Sequence, residues 1–177
     1  MARPSISSQP WGEHAGQRVQ LHTLRCGEAV LRVSDLGCAL VAYELPDGAG
    51  GRVDLLLGPP SLEQAAARRQ YMGCLVGRCA GRIRGARLHL AGETFALAPN
   101  EGPHQLHGGP DGFDRRVFMP RPGLAADGPR LIHTLVSPHG DQGYPGRLEL
   151  RVETRLLPDG ALRQRTWARC DRTTPLN

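Results

Sequence analysis

The sequence predicts an all-β protein, an antiparallel β-sandwich with one short helix. Three observations point there. First, 23 glycines and 15 prolines punctuate the 177 residues, roughly a fifth of the chain against a usual ~12 per cent, which leaves little room for long helices. Second, the clearest hydrophobic periodicity is two, the period of a half-buried strand. Third, Asp47-Gly48, Pro59-Pro60, Asp111-Gly112 and Asp127-Gly128 place turn chemistry between short apolar runs. With 40% hydrophobic and 22% charged residues, the composition is that of a globular chain long enough for one domain with a core.

In chain order, strands are expected over 19–24, 29–34 and 39–45. A short helix follows, with Ser61 as its cap, Gln64 reaching back to it, and good helix formers over 64–69. Further strands are expected over 87–90 and 131–136. The strongest signal is 148–156, where Leu148, Leu150, Val152 and Leu156 alternate with Glu149, Arg151, Glu153 and Arg155. It runs into the turn Leu157-Pro158-Asp159-Gly160, and a strand from 162 towards 170 pairs back as a hairpin. Residues 11–177 read as one domain, or part of one, and 1–10 as a flexible lead. The last residues leave a strand without a polar tail, so an unpaired sheet edge is expected and the domain reads as incomplete.

The formal net charge of +5 is carried by arginine. The arginines are scattered, with no basic run or basic helix, so charge here speaks of solubility and nucleic acid is not an expected partner. No apolar stretch reaches about 18 residues and the first residues lack an apolar h-region, so neither a membrane span nor a signal peptide is read. Five cysteines, an odd count without repeated close spacing, do not form a disulfide framework. The expectation is a reduced, soluble, cytoplasmic protein.

The densest polar cluster is Asn100-Glu101-Gly102-Pro103-His104-Gln105-Leu106-His107-Gly108-Gly109. Histidine exchanges protons near neutral pH, and the two glycines after His107 allow close backbone approach to a ligand. The residues alone leave two readings open: an imidazole presented to a ligand, or a loop histidine satisfied by backbone or water. Cys74, Cys79, His104 and His107 are four metal-capable side chains, but the spacing is not that of a zinc finger and no metal is expected. The segment Gly77-Arg78-Cys79-Ala80-Gly81-Arg82-Ile83-Arg84-Gly85 is glycine-rich and basic, yet matches neither phosphate-loop nor dinucleotide fingerprint. Arg82, between glycine-containing turns, offers a planar fork of donors for sugar hydroxyls or, equally, for a surface ion pair. Trp11, Trp167, Phe113 and Tyr144 suit either a sugar face or a core.

Taken in order, these segments resemble the aldose 1-epimerase (galactose mutarotase-like) family. The matching pieces are Pro46-Asp47 with Asp54-Leu55-Leu56-Leu57-Gly58, then Gly77-Arg78-x-Ala80-Gly81-Arg82-Ile83, then Asn100-Glu101-Gly102 leading to Leu106-His107-Gly108-Gly109. Gly112-Phe113-Asp114, Ser137-Pro138-x-Gly140-Asp141-Gln142-Gly143-Tyr144-Pro145-Gly146 and Asp171-x-Thr173-Thr174-Pro175-Leu176-Asn177 complete them.

The resemblance implies a galactose mutarotase-type β-sandwich (supersandwich), of which this chain is the N-terminal portion. It implies cofactor-free interconversion of the α and β anomers of a free hexose such as galactose or glucose. It makes His107 the catalytic and sugar-contacting histidine, and Arg82 a sugar-binding residue. Many relatives carry asparagine immediately before that arginine; here Gly81 stands there, so that contact is missing. Asp141 and Tyr144 fall in a loop whose implied role is structural. The family's second histidine, a sugar-binding aspartate and a glutamate base correspond to nothing before Asn177, so these 177 residues alone are expected to be weakly active or inactive. The alternatives are a non-catalytic carbohydrate-binding protein and a sugar-phosphate epimerase using Arg78, Arg82 and Arg84.

Overall fold

The first five strands form one antiparallel sheet in sequence order: β1 (Ser5–His14), β2 (Gln17–Cys26), β3 (Ala29–Ser34), β4 (Leu40–Pro46) and β5 (Arg52–Asp54). The computed structural model describes residues 3–67 and 69–177. Ala15 and Gly16 turn β1 into β2, both at positive φ (49° and 75°), as a two-residue hairpin requires. The short helix α1 (Leu62–Ala67) follows, its Gln64 N–H donating to Ser61 Oγ at 3.3 Å. Leu62 is the buried residue of α1, packed with Val19 and Leu36 against Trp11. Of the expected helix, Arg68 lies outside the described residues, as do Met1 and Ala2 of the N-terminal lead.

Four short strands make two ribbons: β6 (Arg82–Ile83), β7 (Arg87–Leu90), β8 (Glu93–Ala96) and β9 (Gln105–Leu106), with β6 paired to β9 and β7 to β8. The second large sheet is β10 (Met119–Ala125), β11 (Gly128–Ser137), β12 (Leu148–Leu156) and β13 (Leu162–Cys170), also antiparallel and in sequence order. The two large sheets share a core. Leu24, Leu31 and Val33 from the first meet Leu131 and Leu156 from the second, all fully buried, each such side chain stabilising the fold by about 1.5–3 kcal/mol. A second cluster joins Leu148, Leu150 and Val152 to Phe113 and Phe118.

The structure bears out the all-β reading. Segments 29–34, 87–90 and 148–156 coincide with β3, β7 and β12. The flexible lead does not hold for residues 5–10, which pair with β2 from Ser5↔Arg25 to Pro10↔Gln20. β1 is an edge strand, exposed along most of its length and bulged between Pro10 and Gly12, so it carries no alternation for a sequence reading to detect. β10 was hidden in the same way by Pro120 and Pro122, which an edge strand tolerates because its outer N–H groups pair with nothing. The alternation of β12 also breaks: Glu153 is buried on the charged face, bracketed by Arg151 at 3.2 Å and Arg155 at 2.8 Å.

Candidate active site

The polar cluster around His107 is a built scaffold. Asn100 Oδ1 accepts the Leu106 N–H at 2.7 Å while Asn100 Nδ2 donates to Leu106 O at 3.0 Å, so a side chain imitates a strand partner for β9. Gln105, buried, is gripped by the Tyr144 hydroxyl and donates to Ala98 O at 3.1 Å. Asp141 accepts from Ser137 Oγ and from Arg116 Nη1 at 3.1 Å. The loop from Ser137 to Gly146 thus supports β9 from below, in keeping with the structural role the resemblance implied.

His107 follows β9 at φ +50°, in the left-handed region, which a side chain enters at a cost of order 1 kcal/mol. Two hydrogen bonds hold it there. Its N–H donates to Gly81 O at 2.9 Å, and its Nδ1 accepts the Gly81 N–H at 3.0 Å. With Nδ1 accepting, the neutral ring carries its proton on Nε2. Gly108, at φ +89°, admits no side chain, because a Cβ there would run into the Gly77 carbonyl. The backbone thus satisfies Nδ1 of His107, while its Nε2 has no hydrogen-bond partner among the described residues.

Arg82, on β6, pairs through its backbone with Leu106, one residue from His107. Its side chain is exposed and its Nε and Nη2 both donate to Glu101, the Nη2 bond measuring 2.8 Å. This hydrogen-bonded pair holds the Glu101 carboxyl below its ordinary range. On the other side of the site the Tyr71 ring lies 4.5 Å from the His107 ring, centroid to centroid. The Arg69 guanidinium sits 5.1 Å from the Tyr71 ring and is fixed to Asp114 by two bonds of 2.8 Å and to Gly109 O at 2.7 Å. Burial, opposed by the Arg69 cation, pushes the Tyr71 phenol above its ordinary value. A cavity of about 150 Å³ opens beside this group, lined by Arg69, Tyr71, Asp114, Trp11 and Pro59 but not by His107 or Arg82.

Other sequence candidates do not join the site. Arg78 is enclosed and donates to Ser137 Oγ, Ser137 O, Pro138 O, Pro145 O and Thr174 Oγ1 at 2.8–3.2 Å. Burial lowers its guanidinium's affinity for the proton. With Arg78 consumed in this way, Arg78, Arg82 and Arg84 do not make one phosphate site. Cys74 and Cys79 do not converge with His104, whose Nδ1 accepts the Gly85 N–H at 3.0 Å. Phe113 and Tyr144 are core, while Trp167 is exposed under the Arg151 guanidinium at 4.6 Å. The sequence reading missed Tyr71 and the pairing of Glu101 with Arg82. Only three-dimensional proximity reveals them.

A family model described as aldose 1-epimerase matches residues 20–177. The chain belongs to the aldose 1-epimerase family. It is 35% identical over 159 residues to the galactose mutarotase of Sus scrofa, covering 90% of this chain and 45% of the relative. It is also 35% identical over 163 residues to the aldose 1-epimerase of Escherichia coli (strain K12), covering 92% and 46%. Among solved structures, the galactose 1-epimerase from Lactobacillus acidophilus superposes with a TM-score of 0.86 at 27% identity, over 97% of this chain and 50% of that one. The epimerase-type sandwich is thereby established. The chain spans about half the length of the curated relatives it matches.

Proposed function

We propose that this epimerase-family chain binds a free aldohexose at His107 and Arg82 and takes part in exchanging its α and β anomers. The observation that carries the reading is the oriented His107 ring. The Gly81 N–H on Nδ1 leaves an Nε2–H donor on the residue next to Leu106, the backbone partner of Arg82, a donor suited to the ring oxygen of a pyranose. Arg82 keeps its Nη1 and second Nη2 hydrogens for sugar hydroxyls, and Glu101 adds acceptor lone pairs.

Anomer exchange is proton transfer alone, without a cofactor. A base removes the proton from the anomeric hydroxyl, the bond from C1 to the ring oxygen breaks as that oxygen is protonated, the aldehyde rotates, and the ring closes on its other face. His107 accounts for the ring-oxygen side. Among the described neighbours, Glu101 is engaged by Arg82, and burial keeps the Tyr71 phenol protonated. Neither of these neighbours is a free base to act opposite His107, and we read the 177-residue polypeptide as a sugar binder with weak turnover, at most a small fraction of a complete acid–base pair, since one positioned group contributes ~10²–10⁴-fold. The free thiols of all five cysteines fit a reducing compartment and a cytoplasmic location.

Calorimetry with galactose and glucose, beside the optical rotation of freshly dissolved α-anomer, tests this. The expected result is binding heat that disappears in His107→Ala, with little acceleration of rotation. Absence of any sugar binding overturns the site. Rapid equilibration by the 177-residue chain overturns the reading of weak turnover.

A further inference from the structure

Between the two large sheets, away from His107, three polar side chains are enclosed together: His22 at 0% exposure, Asp35 at 2% and His133 at 0%. His22 belongs to β2, Asp35 directly follows β3, and His133 belongs to β11 of the opposite sheet. His22 Nε2 lies 2.8 Å from Asp35 Oδ1, and His133 Nε2 lies 3.0 Å from the same oxygen. All three atoms fall within 4.8 Å of one another. The two rings stand 5.8 Å apart at 69°, so they converge on the carboxylate instead of stacking on each other.

We propose that His22, Asp35 and His133 form a structural binding site for a divalent transition-metal ion such as zinc, tying the two sheets together. Two imidazoles and a carboxylate are a zinc-type donor set, with metal–nitrogen distances of about 2.0–2.1 Å and metal–oxygen distances of about 2.0–2.2 Å. At tetrahedral angles such bonds set neighbouring ligand atoms roughly 3.3–3.5 Å apart. The observed 2.8 and 3.0 Å edges would have to open by roughly half an ångström, and the edge between the two Nε2 atoms lies within 4.8 Å. A small molecule such as water would complete four-coordination.

The surroundings are already arranged for it. A metal-bound imidazole donates its other N–H to an acceptor that fixes the ring. Here His22 Nδ1 faces Ser8 Oγ at 2.7 Å and His133 Nδ1 faces Cys38 Sγ at 3.2 Å. Hydroxyl and thiol each accept as well as donate. Without metal they give their protons to Nδ1 while both Nε2–H groups bond Asp35. With metal each ring moves its proton to Nδ1 and donates it outward, and no net proton is released. Asp35 Oδ2 is held by the Gln20 N–H at 3.0 Å. Ser8, on the exposed edge strand β1 and paired directly with His22, gives the cluster its approach from solvent. Enclosure of all three ligands makes the role one of holding sheets together, and none of the three belongs to the sugar site.

Metal content of the full 177-residue chain, expressed with added zinc and purified without chelator, is the test. One zinc per chain is expected, with a thermal midpoint that falls on chelation and recovers on re-addition. Cobalt substituted for zinc is expected to give visible ligand-field bands. His133→Phe is expected to lower zinc affinity at least 10-fold; should that variant not fold, the wild-type cobalt titration decides. No zinc after purification, no cobalt bands and no zinc-dependent midpoint together overturn the proposal and leave a hydrogen-bonded network.

Discussion

His107 and Gly81 hold each other by two reciprocal hydrogen bonds, N–H to carbonyl at 2.9 Å and N–H to imidazole Nδ1 at 3.0 Å. The residue next to Gly81 is Arg82, so the backbone that orients the imidazole also carries the guanidinium. The resemblance gives many relatives an asparagine at this position that contacts sugar; this chain has Gly81, whose backbone N–H fixes the His107 ring.

The proposed sugar contact is made by the ring, and not by the loop. His107→Ala is expected to abolish detectable calorimetric binding of galactose and to lower any residual mutarotation by ~10²–10⁴-fold. Circular dichroism is expected to show the same sheet content as the parent chain, since His107 is only half-buried.

Tyr71 reaches the site through its face. Its ring lies 4.5 Å from His107 and is backed by Arg69, and an aromatic contact of this kind is worth about 0.5–1.5 kcal/mol. Tyr71→Ala is expected to weaken sugar binding roughly 2- to 10-fold, whereas Tyr71→Phe keeps the face and is expected to bind as the parent does. Equal loss in both variants would place the effect in the phenol hydroxyl instead.

Arg78 acts on stability. Its removal strands four oxygen acceptors and a threonine hydroxyl inside the fold, each lost bond being worth about 1 kcal/mol net. Arg78→Ala is expected to lose about 3–5 kcal/mol in urea denaturation. Arg78→Lys is expected to recover only part of it, because an ammonium cannot reproduce the planar fork.

Cys74 is expected to be a sluggish thiol. Burial, reinforced by the Asp114 carboxylate, raises it to about 11, so the reactive thiolate is scarce at pH 8. Iodoacetamide alkylation of Cys74 in the folded chain, followed by peptide mass spectrometry, is expected to run about 10²-fold slower than for a free thiol and to rise with pH up to about 11. Alkylation at the rate of an unfolded control at pH 8 would contradict this.

Two strands inside their sheets, β3 and β12, were legible from the chain. β12 alternates because one face packs on Phe113 and Phe118, and β3 is rich in aliphatics because it lies inside its sheet. β1 and β10 were not legible. At a sheet edge, with proline in the strand and solvent on most positions, no periodicity is imposed. The site divides similarly. His107 and Arg82 could be singled out from local residue order. Their partners Glu101 and Tyr71 could not, because nothing in local spacing marks which distant side chains fold against one another.

The amino-acid order by itself therefore determined the strand-rich class, the turn positions, the family likeness and the two candidate site residues, His107 and Arg82. These follow from local conformational preference and from side chains repeating along one strand. Only the tertiary structure decided which arginine is buried scaffold and which faces outward, which nitrogen of His107 is free, and that His22, Asp35 and His133 meet between sheets. Those outcomes depend on contacts between segments far apart in the chain, where burial and hydrogen-bond partners arise only when the sheets close on each other.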